Sequence, residues 1–183
     1  WQKILELRMA TGEPYLIFSD TVNNAMPAHQ RQHGLKVRQS NLCSEIMLPT
    51  GVDHKGNDRT AVCCLSSVNA EKFLEWKKDE RFLEDIFRFL DNVLEDFINR
   101  APSEMARAVY SAQRERSVGL GLMGFHSFLQ GQGVPMESAP AKAWNNAMFK
   151  HLRRGADAAS VKLANERGPC PDAADAGVMA RFS

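Results

Sequence analysis

Asn41-Leu42-Cys43-Ser44-Glu45 sets an amide, a thiol and a carboxylate at alternate positions. In an extended segment alternate side chains project to one face, so this spacing predicts all three groups reaching into one space. A thiol that attacks as a nucleophile wants a lowered pKa and a histidine base, and no histidine adjoins Cys43. A neighbouring carboxylate raises a thiol pKa. That hinders thiolate chemistry but does no harm to a neutral S–H used in hydrogen-atom transfer. The same five residues also suit a buried strand end with one satisfied carboxylate. Further on, Cys63 lies in Thr60–Leu65 (TAVCCL), a small, β-compatible run that reads as a buried strand. Placed beside the first segment, such a strand brings Cys63 to the same cavity. One thiol would then serve radical chemistry and another redox exchange.

Other signals are weaker. Gly119-Leu-Gly121-Leu-Met-Gly124 matches the GxGxxG pattern of dinucleotide sites. That pattern must follow a hydrophobic strand and open a helix, and Ser111–Ser117 is too polar for such a strand. Close helix packing through small residues is the better account. His29 and His33 are four apart but sit in a polar stretch without a third ligand. His54, His126 and His151 are scattered, and no metal site is expected. Cys43, Cys63, Cys64 and Cys170 are too few for a disulfide scaffold and lack zinc spacing.

The positioning elements follow from periodicity. Residues 1–10 read as the end of a helix broken by Gly12 and Pro14, and Tyr15–Phe18 as a short strand. Asp20–Met26 suggests a short helix or turn closed by Pro27, residues 28–34 a loop, and Leu35–Arg38 a strand leading into the pentapeptide. Residues 50–59 are turn-rich. Phe82, Ile86, Phe89, Leu90, Val93, Leu94 and Phe97 form an amphipathic helical stripe that stops before Pro102. A second stripe runs through Trp144, Met148, His151, Leu152, Ala159 and Leu163, with Ser138 as N-cap and Gly168-Pro169 as its stop. Strands and loops thus occupy about 13–67, and helices most of 68–183.

The chain has 183 residues and a formal charge of +1, with 44% hydrophobic and 25% charged residues. These values describe an ordinary globular chain and give no electrostatic reason to expect nucleic acid or a membrane as partner. No apolar run approaches the roughly 20 residues of a membrane helix. The chain begins at Trp1 inside structured-looking sequence, and we read it as a fragment.

Gln39–Thr50 (QSNLCSEIMLPT) resembles the active-site finger of the large (alpha) subunit of class I ribonucleotide reductases. Ala61–Asn69 (AVCCLSSVN) resembles the strand that follows it. Pro14–Phe18, Arg116–Gly121, Arg167–Asp172 and Arg181–Ser183 fit in order, so the resemblance spans essentially the whole chain. It implies an α/β fold, part of a ten-stranded barrel with a central finger loop. It implies that Cys43 carries a thiyl radical that abstracts the ribose 3′ hydrogen, that Glu45 takes the 3′-hydroxyl proton, and that Asn41 hydrogen-bonds the sugar. Leu42 and Ser44 complete the substrate-binding loop, although Ser44 stands where an apolar residue is more usual. Cys63 matches one member of a redox-active disulfide whose partner lies outside the chain; Cys64 stands where the family commonly has Thr.

The resemblance further implies reduction of ribonucleoside diphosphates for DNA synthesis by an allosteric cytoplasmic enzyme. The full large subunit is a homodimer. Its radical comes from a metal-containing small (beta) subunit and its electrons from thioredoxin or glutaredoxin. No cofactor is expected in this chain, which is not expected to turn over alone. Two alternatives stay open: the adenosylcobalamin-dependent form, which also carries Asn-x-Cys-x-Glu, and an inert structural fragment needing complementation.

Overall fold

The computed structural model describes all 183 residues, which form two units, 1–61 and 62–183. In the first, α1 (Gln2–Thr11) stops at Gly12, whose φ of 82° is the left-handed C-cap conformation that glycine adopts without a Cβ penalty. α2 (Ser19–Ala25) and α3 (Ala28–Gln32) follow on either side of Pro27. The expected loop at 28–34 therefore holds a one-turn helix, ended by Gly34 at φ 67°. A small core gathers Met26, Leu35 and Val37 with Val22 and Met47.

The expected strands at Tyr15–Phe18 and Leu35–Arg38 carry no ladder. A strand needs a hydrogen-bonded neighbour. At Val37 that place is taken by a side chain: Asn23 Nδ2 donates to the Val37 carbonyl at 3.0 Å, and the Val37 N–H donates to Asn23 Oδ1 at 2.9 Å. The turn-rich segment instead pairs β1 (Gly51–Val52) antiparallel with β2 (Asp58–Arg59). Asp53 organises this hairpin. Its Oδ1 accepts from the N–H groups of Lys55 and Asn57, and its Oδ2 accepts from Arg59 Nε at 3.0 Å.

The second unit runs β3 (Leu65–Asn69), α4 (Phe73–Trp76), α5 (Phe82–Arg100), α6 (Ala106–Glu115), β4 (Gly119–Met123), α7 (Phe125–Gly131), α8 (Ala139–Arg167) and α9 (Pro171–Asp175). β3 and β4 are parallel, in register from Leu65↔Gly119 to Asn69↔Met123, with α4, α5 and α6 in the crossover. The fold is an α/β fragment. α8 begins where Ser138 Oγ accepts from the Ala141 N–H and ends at Gly168, as the caps predict. α5 buries Leu83, Phe87, Leu90 and Leu94, whereas Phe89 and Val93, expected on its apolar stripe, are 62% and 43% exposed.

Asp91 shares the buried face of α5 and is fully inaccessible. Arg116 gives it Nε at 2.9 Å and Nη2 at 2.7 Å, Arg167 gives Nη1 at 2.6 Å, and Arg181 gives Nε at 3.0 Å. Arg181 Nη1 also donates to the carbonyls of Arg167 and Gly168, so one carboxylate ties α5, the approach to β4, the end of α8 and the C-terminal segment together. Burial pushes the Asp91 carboxyl up, but the hydrogen bonds from Arg181, Arg167 and Arg116 outweigh it and hold the group below its ordinary 3.8.

Removing a buried partner strands the opposite charges. Asp91→Ala should therefore cost roughly 3–5 kcal/mol in urea unfolding. Loss of the exposed Asp85 carboxylate, paired with Arg81, should cost under about 1 kcal/mol. Because the folded-state pKa is depressed, this stabilisation is complete above 3.8 and lost as pH falls through the lower folded value. An Asp91→Ala chain as stable as wild type, measured at neutral pH, would contradict the hub.

Candidate active site

Residues 41–46 close a tight loop upon Asn41. The Asn41 carbonyl accepts from the Ser44 N–H at 3.2 Å, and the Asn41 N–H donates to the Ile46 carbonyl at 3.3 Å. Asn41 Oδ1 accepts from the Ile46 N–H at 3.0 Å. Ser40 Oγ donates to the Asn41 carbonyl at 2.9 Å and lies 3.3 Å from Ser44 Oγ. Ser44 takes a φ of 64°, in the left-handed region that a residue with a Cβ rarely adopts.

The extended alternation expected of Asn41, Cys43 and Glu45 is thus replaced by a turn, since a left-handed residue between Cys43 and Glu45 breaks the pleat. Asn41 is half-buried and holds the loop, Leu42 is 91% exposed at its tip, and Cys43 and Glu45 are exposed. The turn offers a thiol and a carboxylate one residue apart. A cavity of about 420 Å³ borders it, lined by Arg8, Leu16, Phe18, Val22, Ser44 and Met47.

The two adjacent cysteines of the second unit are told apart by their surroundings. The ladder begins at Leu65 instead of Thr60, although the Gly119 N–H still donates to the Cys64 carbonyl at 2.8 Å. Cys64, half-buried, packs on the cluster of Phe87, Leu90, Ala159 and Leu163, and its Sγ donates to the Leu90 carbonyl at 3.7 Å. Burial pushes its thiol pKa up, with Cys63 and Asp91 adding to the effect. Cys63 is exposed. The alternation continues along β3: Val68 is buried, and Leu65 and Ser67 are exposed.

The GxGxxG pattern runs along β4 and ends at Gly124, the N-cap of α7; it is not a loop after a strand, and not the helix packing expected of it. A Cβ on Gly121 would sit 2.9 Å from Ser67 Oγ, and one on Gly124, at φ 74°, would sit 2.7 Å from Asn69 Oδ1. These glycines let β3 and β4 lie side by side.

The model of the ribonucleotide reductase barrel domain matches residues 1–178. The chain belongs to the ribonucleotide reductase family. It is 45% identical over its whole length to the ribonucleoside-diphosphate reductase large subunit of Invertebrate iridescent virus 3, covering 28% of that protein. It is 31% identical over 177 residues to the large chain of Encephalitozoon cuniculi, covering 21% of it. The solved alpha subunit of the Actinobacillus ureae class Id ribonucleotide reductase superposes on the whole chain with a TM-score of 0.90 at 38% identity, and 34% of that subunit is covered. The chain therefore spans about a third or less of these reductase proteins.

Elsewhere this reductase segment gathers no group of three or more His, Cys, Asp or Glu side chains that could hold a metal ion. His33 stacks on His54 with ring centroids 4.5 Å apart, and His151 packs on Phe73 and Trp76. No helix is long and apolar enough to cross a membrane. The residue that motif reading misses is Asp91. Three of the family-like segments place Arg116, Arg167 and Arg181 on it, and a lone acid on the apolar stripe of a helix was the available signal.

Proposed function

We propose that this chain is the part of a class I ribonucleotide reductase catalytic subunit that carries the radical-bearing finger and one of the two redox cysteines. The observation that carries the reading is the Asn41–Ile46 loop: within a ribonucleotide reductase barrel domain, it holds Cys43 and Glu45 exposed at a turn braced by the Asn41 amide. Cys43, as a thiyl radical, takes the 3′ hydrogen of a ribonucleoside diphosphate. Glu45 accepts the 3′-hydroxyl proton, which requires the carboxylate to come within about 3 Å of it. Asn41 hydrogen-bonds the sugar, and Leu42 and Ser44 complete the loop against the substrate.

Cys63 and a partner cysteine outside the chain supply two electrons and two protons. The 2′-hydroxyl leaves as water, a disulfide forms, and Cys43 returns the hydrogen to C3′. A metal-containing small subunit generates the radical, and thioredoxin or glutaredoxin reduces the disulfide. The full subunit acts as a homodimer in the cytoplasm and supplies deoxynucleotides. The exposed Cys63 and the helix-facing Cys64 support the choice of redox thiol.

The test is thiol mapping in a full-length large subunit carrying this segment. After one turnover without external reductant, differential alkylation should find Cys63 oxidised and Cys64 as thiol. Cys63→Ser should stop repeated turnover with dithiol reductants. Recovery of Cys64 in the disulfide would transfer the redox role to it.

A further inference from the structure

Two adjacent thiols are a hazard for disulfide chemistry. Once Cys63 is in a disulfide with any thiol, a Cys64 thiolate can attack it, form a Cys63–Cys64 bond and expel that thiol. A main-chain bond from the Gly119 N–H to the Cys64 carbonyl joins this stretch to the start of the ladder.

We propose that α5 acts as a lock which keeps Cys64 out of thiol–disulfide exchange, so that Cys63 alone takes part. This rests on the assignment of Cys63 as the redox thiol. The lock has three parts. The Leu90 carbonyl accepts the Cys64 S–H at 3.7 Å. Cys64 packs against the cluster of Phe87 and Leu90 from α5 and Ala159 and Leu163 from α8. Next to Leu90, Asp91 is fully buried and gripped by Arg116, Arg167 and Arg181, which fixes α5 against rotation at this point.

Electrostatics act the same way. The charged group of α5 that acts on Cys64 is the Asp91 carboxylate, the guanidiniums of Arg116, Arg167 and Arg181 beyond it are engaged with that carboxylate, and α8 contributes Ala156, Ala159 and Leu163 to the apolar cluster on which Cys64 packs. Burial, Cys63 and Asp91 all raise the Cys64 pKa, and the thiolate is the attacking species.

The test treats the 183-residue chain with oxidised glutathione and locates each adduct by fragment-ion sequencing. Cys63 thiolate should attack the disulfide, taking one glutathionyl group and releasing one glutathione thiolate. Cys64 should react at least about tenfold more slowly, because its S–H is held on the Leu90 carbonyl and its residue is packed on the α5–α8 cluster. The Cys63 adduct should persist, without release of the second glutathione. Asp91→Asn should speed modification of Cys64, because it removes one of the charges that disfavour the thiolate and loosens the grip on α5 beside Leu90, while Cys64→Ser leaves the rate at Cys63 unchanged.

Formation of a Cys63–Cys64 disulfide by the wild-type chain, with release of the second glutathione, would overturn the proposal. So would an Asp91→Asn chain whose Cys64 stays as inert as in wild type. If circular dichroism shows that Asp91→Asn does not fold, the wild-type pH profile decides. Alkylation of Cys64 by iodoacetamide should have its midpoint above the ordinary 9.0, and a midpoint at or below that value overturns the lock. These readouts need no turnover, so they fail separately from the reductase assignment, which the thiol mapping decides.

Discussion

In a full-length reductase large subunit carrying residues 1–183, Cys43→Ser abolishes deoxynucleotide formation while nucleotide binding persists. The two side chains differ little in size, and Cys43 is exposed on a loop closed by main-chain and Asn41 bonds, so the turn survives the change. What is lost is the weak S–H bond. A serine O–H is much stronger, and every 1.36 kcal/mol added to a barrier costs tenfold in rate. The expected loss is on the order of 10⁴ or more, as when a covalently reacting group is deleted. Measured product formation above background in that variant, with normal binding, would remove the radical role from Cys43.

Glu45→Gln should lower turnover by about 10²–10⁴, the contribution of a positioned acid–base group. Gln keeps the shape and cannot accept the proton. Glu45 is exposed, and the loop is closed through Asn41, Ser44 and Ile46 instead, so thermal unfolding should be unchanged. Near-normal turnover would make Glu45 a carboxylate of the loop and nothing more.

Where local chemistry decides the structure, it was readable. Ser138 and Gly168 mark the ends of α8 because capping depends on a few neighbouring atoms. The apolar stripe of α5 predicts its helix, although Phe87, not Phe89, faces the core. The residue types of Asn41–Glu45 carry the resemblance to the family, but the conformation of the segment was not legible in them. Nothing in the pentapeptide announces that Ser44 turns left-handed, since Gly or Asn is the usual signal for that.

Strands were harder. An apolar run such as Tyr15–Phe18 becomes a strand only beside a neighbour, and pairing partners are not written locally. β4 shows the opposite case. Its Gly-Leu-Gly-Leu alternation is the period of a strand, with Leu120 and Leu122 packed on the hydrophobic core, yet the glycine pattern drew the reading elsewhere. Asp91 escaped because its arginine partners lie 25, 76 and 90 positions away, and only the folded chain brings them to one carboxylate.

The most direct measurement exchanges the segment. Residues 1–183 replace the matching stretch of the Invertebrate iridescent virus 3 large subunit, to which they are 45% identical. The chimaera is assayed with the parent's small subunit, a ribonucleoside diphosphate and a dithiol reductant. The account predicts deoxynucleoside diphosphate at a rate near the parent's, abolished by Cys43→Ser in the exchanged segment. A chimaera that folds and binds nucleotide but forms no product, beside an active parent, would contradict it.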